Sequence, residues 1–504
     1  MTSLWQLTAP WIPSDEFAGS DGPDGGSARC DTVIVGAGLT GLVTGVLLAR
    51  AGQRVTVLEA RTTGAVTTGN TTGKLSLLQG TVLGELRDYA GDEVLRAYVE
   101  ANREGQAWLV RELESRGEQV ERRPAFTYAS DQSQLELLER EREASAVAGL
   151  QISETTETGL PFESHGALTM EAQVQLQPMV VLARLAEELR ERGGRLVEHC
   201  RVVEVESEEH RLRIVTERGS LLAERCVLAT GAPILDRGMF FAKLQPSRSF
   251  VTAYRLLDAH APKGMYVAAG EPMHSLRTAY DAVGEEVLVV GGGARIVGAP
   301  GDSREELRAL DSWTARHFPN TQRLAWWAAQ DYRSHSRVPF AGEMPRGGGR
   351  IYAATGYNKW GMTNAVAAAL AIVGEMLGGH MEWARTLNQS GTSLAEISEA
   401  LGATAAVAGR LISGWTAAEL RSIDSMQPPA EGEGFVARDG VEPVAISRVD
   451  GELCRVSGVC THLGGILRWN SAERSWDCPL HGSRFAADGM RLEGPGLRDL
   501  PPAA

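Results

Sequence analysis

Apolar positions along this chain fall into distinct rhythms, and the rhythms divide it. Thr32 to Val35 is a β-branched run, Leu39 to Ala51 is apolar with few charges, Gly52 interrupts it, and Arg54 to Leu58 is a second short apolar run. That order predicts a buried strand, a buried helix and a second buried strand, a βαβ unit. "RIYAATGYNKWGMTNAVAAALAIVGEML" repeats the theme of strand, glycine turn and apolar helix. Val82 to Arg116 and Gln134 to Gly149 set charges around an apolar face and predict helices with one wet side. "FVTAYRLL", "GMYVAAG" and "EEVLVVGGG" are short strand patterns of a separate sheet. "MQPPAEGEG", Met426 to Gly434, reads as a linker, and short strand patterns with "RDG", "VDG" and "ADG" turns follow it. The expected architecture is an α/β domain with a parallel sheet, an interleaved antiparallel-sheet domain, and a small all-β domain at the end of the chain.

Composition narrows the function classes. At 504 residues the chain exceeds one hydrophobic core. A net charge of −14 argues against nucleic acid or an anionic membrane surface as partner. The N-terminus lacks a basic segment followed by an apolar core, so no signal peptide is expected. The longest apolar run, Ala365 to Leu377, is too short to span a bilayer and carries Glu375. A cytoplasmic protein is expected. Residues 13–30 are rich in Gly, Ser, Pro and Asp, so residues 1–30 are expected to form a flexible arm. Cys30, Cys200, Cys226 and Cys454 follow no disulfide framework and read as reduced thiols.

Gly36-x-Gly38-x-x-Gly41 follows the first predicted strand and opens the first helix. In that context Gly36 permits the tight turn, Gly38 lets backbone approach a pyrophosphate, and Gly41 lets the helix pack on the sheet. The helix N-terminus, with Leu39 and Thr40, faces the diphosphate with its partial positive charge. Glu59 ends the second strand, eighteen residues after Gly41, and is placed to accept a ribose hydroxyl; Ala60 and Arg61 follow it. Three later segments favour FAD over NAD. "TTGNTTGKLSLLQG" contains Asn70, Thr71, Thr72 and Gly73, small and hydroxyl-bearing residues that allow close approach. "CVLATGAP" ends a strand in Thr230 and Gly231. "TGYNKWGMT" sets Gly356, Gly361, Met362 and Thr363 around a helix start that can stabilise negative charge on a reduced ring. "VVGGGAR" lacks the spacing of a second dinucleotide site.

These segments resemble the FAD-dependent D-amino-acid oxidase, glycine oxidase and sarcosine oxidase superfamily over roughly residues 31–385. "TGYNKWG" is similar to that family's Gly-His-x-x-x-Gly turn, with Tyr357 in place of His. The resemblance implies a Rossmann-type FAD-binding domain, FAD itself, and a strand near Val202 and Val203 lying against the adenine. The expected domains are FAD-binding over 31–81, 166–236 and 330–385, substrate-binding over 82–165 and 237–329, a helical connector and linker over 386–428, and the all-β domain over 429–504.

That last domain carries Cys460-x-His462 and Cys478-x-x-His481, each pair in a loop bounded by glycine or proline. Zinc accepts two cysteines and two histidines, but finger spacing groups like with like. One of each per loop suits a dinuclear cluster instead, with two thiolates on one iron and two imidazoles on the other. The pattern resembles the Rieske [2Fe–2S] domain. High-potential respiratory members carry a further cysteine in each loop, joined as a disulfide; Gly465 and Leu480 stand there, so the disulfide is absent. Ser483 offers a hydroxyl to the cluster, and Phe485 replaces a tyrosine donor. Fewer hydrogen bonds to sulfur predict an intermediate-to-low potential within the Rieske range of about −150 to +300 mV.

A flavin accepts two electrons together and a [2Fe–2S] cluster passes one, so joining them suits a two-to-one converter. The expectation is an amine or amino-acid dehydrogenase that sends electrons from FAD through the cluster to an external carrier. Competing readings are an O₂-using oxidase with a regulatory cluster, a flavin monooxygenase fed inward through the cluster, and a non-catalytic redox sensor. Arg277 and Arg337 are candidates for pairing a substrate carboxylate; Lys74, Lys359 and Tyr357 are candidates at the flavin.

Overall fold

The computed structural model describes residues 2–19, 30–235, 237–238, 240–257, 261–390, 409, 415 and 422–503. Among these, one eight-stranded sheet runs in the order Phe340–Glu343, Ile351–Thr355, Gly219–Leu228, Cys30–Val35, Val55–Leu58, Arg195–Val197, with Val202–Ser207 and Leu212–Thr216 as a side hairpin. Cys30–Val35 pairs in parallel on both edges, with Val33 opposite Cys226 on one side and Thr56 on the other. A strand paired on both edges and covered on both faces has no wet side, and that accounts for its unbroken apolar pattern. The helices Leu39–Arg50 and Gly361–Met376 pack together with this sheet in the largest hydrophobic cluster.

A nine-stranded sheet forms the second layer and contains Leu244–Leu256, Glu286–Ile296, Ser275–Tyr280, Met265–Ala268, Glu121–Ala129 and Gly166–Gln175. Gly166–Gln175 pairs antiparallel with Glu121–Ala129, so residues 166–175 belong to this sheet and not to the first, where the sequence reading put them. Its burial does not alternate, with Glu171 and Ala172 exposed and Gln173 to Gln175 buried, and only its partner decides which sheet it joins. "VVGGGAR" is part of the strand Glu286–Ile296.

Three strands over Gly434–Ser457 and four over Arg468–Glu493 make the final all-β domain. Its core holds Trp476 and Phe485, both fully buried. The domain is fastened to the rest of the chain by charge. Arg248, from the second sheet, pairs with Glu473 and with Glu493 at 3.0 Å, while Arg484 reaches Glu473, Asp477 and Glu493. All five side chains are less than a tenth exposed. Arginine's planar fork, held by several carboxylates, suits a buried ion cluster of this kind.

Residues 3–19 are not a flexible arm. Leu4 and Trp5 are buried, the Trp5 indole donates to Thr71 O at 2.6 Å, and the Asp15 carboxylate accepts from Leu196 N at 2.8 Å. The Gly/Ser/Asp-rich stretch is thus held through its first part, residues 13–19; residues 20–29 lie outside the described residues, as does the expected connector over 391–421 apart from 409 and 415. Among the described residues no helix is long and apolar enough to cross a membrane.

Candidate flavin and iron–sulfur sites

The glycine turn closes as its spacing requires. Gly36 has φ +106°, and a side-chain carbon on Gly41 would lie 1.9 Å from Gly36 O. Glu59 accepts from Ala37 N and Arg61 N at 2.9 Å each. Burial pushes its carboxyl up, opposed by those two amides and by Arg201 nearby. The remaining lone pairs stay available for a ribose. A cavity of about 550 Å³ starts here and runs between the two sheets.

Its wall includes Gly36, Gly38, Leu39, Thr40, Glu59, Ala60 and Arg61 from the first βαβ unit; Asn70, Thr71 and Thr72; Val202, Thr230 and Gly231; and Gly356, Tyr357, Gly361 and Met362. A long slot with a glycine cradle and helix start at one end, a carboxylate beside it, and a second helix start further along fits the size and polarity of FAD.

Several expected contacts fall elsewhere. Val203 is 39% exposed and off the cavity wall, because it is the unpaired residue of a bulge between Val202 and Glu204. Gly73 is absent from the wall: its φ of +71° and the approach of Leu176 O and Arg277 leave no room for a side chain. Thr363 is buried under the wall, donating to Asn102 and accepting from Gln79. Gly41 acts through packing and does not reach the slot.

Arg277 is 2% exposed, and its Nη1 donates to Thr72 O, Gly73 O and Leu176 O, with Trp5 stacked 5.0 Å from its guanidinium. It ties strands together and cannot take a substrate carboxylate. Arg337 pairs with Glu85 and lies over Tyr89, off the cavity wall. Tyr357 lines the cavity with its hydroxyl on Thr40 Oγ1 at 2.8 Å. Lys74 and Lys359 both line it. Lys74 is 5% exposed and donates to Tyr266 O and Ser275 Oγ; burial, with Arg277 nearby, holds its ammonium well below the usual lysine range. Thr68, Arg201, Tyr332 and Arg333 also line the cavity and were not read from the sequence. Thr68, which accepts from Leu39 N, sits in the hydroxyl-rich run and was legible there; Arg201, Tyr332 and Arg333 carried no local signal.

In the all-β domain the two metal-motif loops face each other. The Cys460 and Cys478 thiols hydrogen-bond to one another. Backbone N–H groups of His462 and Leu463 aim at the first sulfur, and those of Leu480 and His481 at the second. The two imidazoles pack with centroids 5.0 Å apart. Thiol beside thiol and imidazole beside imidazole is the two-plus-two set of a dinuclear cluster. Among the described residues no three such groups converge as ligands of one ion would. Amides directed at sulfur stabilise thiolate charge and fit the same group. Gly465 and Leu480 touch, a side-chain carbon on Gly465 falling 2.7 Å from Leu480 Cδ1.

The Ser483 hydroxyl is buried against the Cys460 sulfur, and Phe485 is enclosed in the core with no donor to offer. A hydrogen bond to sulfur favours the reduced, more negative cluster by ~1 kcal/mol, about 40 mV for one electron. Ser483→Ala should therefore lower the potential by about that much in an EPR-monitored titration. The native value should fall in the middle or lower part of the Rieske range, and a value at its top would contradict the hydrogen-bond count.

Comparison with known proteins supports both cofactors. The model of the family described as FAD dependent oxidoreductase (DAO) matches residues 31–374, more than half of the chain, and that of the Rieske [2Fe-2S] domain matches residues 422–503. The putative Rieske 2Fe-2S iron-sulfur protein YhfW of Bacillus subtilis is 29% identical over 484 residues, covering 94% of this chain and 93% of that protein. Two solved structures share the fold. L-proline dehydrogenase from P. horikoshii has a TM-score of 0.59 at 17% identity, covering 71% of this chain and 96% of its own. Glycine oxidase from Geobacillus kaustophilus has a TM-score of 0.58 at 18% identity, covering 70% and 96%. The chain thus belongs to the FAD dependent oxidoreductase (DAO) family and is an oxidoreductase that joins an FAD domain to a Rieske [2Fe-2S] domain.

Proposed function

We propose that this protein is a dehydrogenase that oxidises an amine or amino acid and passes the electrons, one at a time, through the Rieske domain to an external carrier. The observation that carries this reading is the position of Tyr332. It walls the flavin cavity and also a smaller cavity of about 140 Å³ that reaches His462 and His481. Gln330 donates from Nε2 both to the Tyr332 hydroxyl and to Gly482 O, each at 2.8 Å, so one side chain spans from the flavin wall to a cluster-bearing loop. Phe241 packs against both imidazoles, with centroids 6.0 and 5.2 Å away.

FAD, when bound, supplies two-electron oxidation of a carbon–nitrogen bond, and the cluster supplies one-electron transfer. The chain's own residues do the rest. Burial lowers the proton affinity of Lys74, whose Nζ donates to Tyr266 O and Ser275 Oγ; in its deprotonated form the amine has a lone pair for the proton of a substrate ammonium. Arg333, paired with Glu85 at 3.0 Å, and Lys359 supply positive charge on the cavity wall for a carboxylate. The names of the two solved proteins of like fold, a proline dehydrogenase and a glycine oxidase, point to the same substrate class.

The test is anaerobic. Mixing the protein with a panel of amines and amino acids should bleach the flavin, and the EPR signal of a reduced cluster should follow. Bleaching with no cluster signal would remove the proposed electron path. A panel that bleaches nothing would remove the substrate class.

A further inference from the structure

The flavin cavity has a wall that no FAD-domain residue supplies. Leu492, Glu493 and Gly494, from the last strand of the Rieske domain and its exit, line the same cavity as Gly36 and Glu59. We propose that the flavin site is composite: this segment closes the adenosine side of the slot, and FAD binding and docking of the Rieske domain form one linked equilibrium.

The segment's place follows from its neighbours. Arg491 reaches across to Glu217, and its carbonyl accepts from Arg201 Nη2 at 3.4 Å. Arg201 precedes the inward-facing Val202 and lies in the field of Glu59, the carboxylate at the ribose end. Two residues on, the Glu493 carboxylate is held by Arg248 from the nine-stranded sheet at 3.0 Å and by Arg484 from its own domain at 3.1 Å. Leu492 is the unpaired residue of a bulge between Arg491 and Glu493, and it lines the cavity beside Glu493 while the ion pairs of its two neighbours hold the strand. Gly494, with φ +87°, completes the wall with backbone alone. A side-chain carbon there would fall 2.6 Å from Gly482 O and 2.9 Å from Ser483 N. The segment is therefore sandwiched between the flavin slot and the loop that carries Cys478 and His481.

A ligand that binds only the docked arrangement stabilises it, and by reciprocity the docked domain tightens the ligand. The first test uses the native full-length chain with its iron in place, with and without FAD, and reads amide hydrogen exchange. FAD should slow exchange over Arg491–Gly494 about tenfold or more, while the strand Glu442–Val449 of the same domain, away from this wall, keeps its rate. Equal exchange at Arg491–Gly494 in the two forms overturns the proposal, as does a slowing shared equally by Glu442–Val449. The second test is Leu492→Ala. Losing part of the contact of one leucine should weaken FAD about tenfold, ~1.4 kcal/mol, in a fluorescence titration of the deflavinated protein, with an unchanged iron-to-protein ratio. An unchanged FAD affinity overturns the proposal.

Discussion

Cys460→Ala should leave a yellow protein with almost no iron. Cys460 is 3% exposed, and its sulfur is paired with that of Cys478 under the amides of His462 and Leu463. Its removal leaves one iron of the pair with a single protein thiolate. Loss even of an outer-shell partner costs a metal site about 10–100-fold in affinity, so loss of a ligand costs at least the upper end of that range. Iron and sulfide should fall below about a tenth of the native content, and the EPR signal of the reduced cluster should vanish. The flavin should stay, because the anchors between the domains lie elsewhere: Arg248 on Glu473 and Glu493, Ser303 on Asn470, and Arg304 on Glu433. With substrate the flavin should still bleach while one-electron acceptors are no longer reduced. Native iron content in this variant would show that the ligand set is misassigned.

Gly41→Ala should have the complementary effect: iron retained, flavin lost. The added methyl would sit 1.9 Å from Gly36 O, backbone that cannot move aside without opening the turn. The helix Leu39–Arg50 must then back away from the strand, carrying with it the amides that face the pyrophosphate. Overpacking of this kind costs about 1–3 kcal/mol, which corresponds to roughly 5- to 150-fold in FAD affinity. The purified variant should show a low flavin-to-protein ratio with full iron. Gly45→Ala, on the next turn of the same helix, is the control: its new methyl would meet side-chain carbons at 3.4–3.5 Å, ordinary contact, and FAD should be retained. Equal flavin content in the two variants would mean that the close approach at Gly41 does not hold the cradle in place.

What was legible in the sequence is what depends on neighbours in the chain. Gly36, Gly38 and Gly41 shape a single turn, Glu59 is placed by one βαβ unit, and Cys460, His462, Cys478 and His481 lie in two short loops. For such groups spacing is geometry, and the residue type carries the chemistry. The substrate side was not legible in this way. Arg277 and Arg333 are the same letter in similar strands, yet one is sealed against four carbonyls and a tryptophan while the other lines the cavity. Whether an arginine is spent on backbone or left for a ligand is set by burial, and burial by segments far away: Trp5, which covers Arg277, comes from the stretch expected to be loose.

By itself, then, the sequence determined the two cofactors and the local cradles that hold them, because backbone turns and ligand spacing act over a few residues. The tertiary structure alone decided that the two cofactor sites share walls. Tyr332 facing both cavities, Gln330 reaching Gly482, and Leu492–Gly494 closing the slot opened by Gly36 are contacts between distant parts of the chain. No local pattern encodes them, because each depends on how whole layers pack and on the buried charges of Arg248, Glu473, Arg484 and Glu493 that lock one domain against the other.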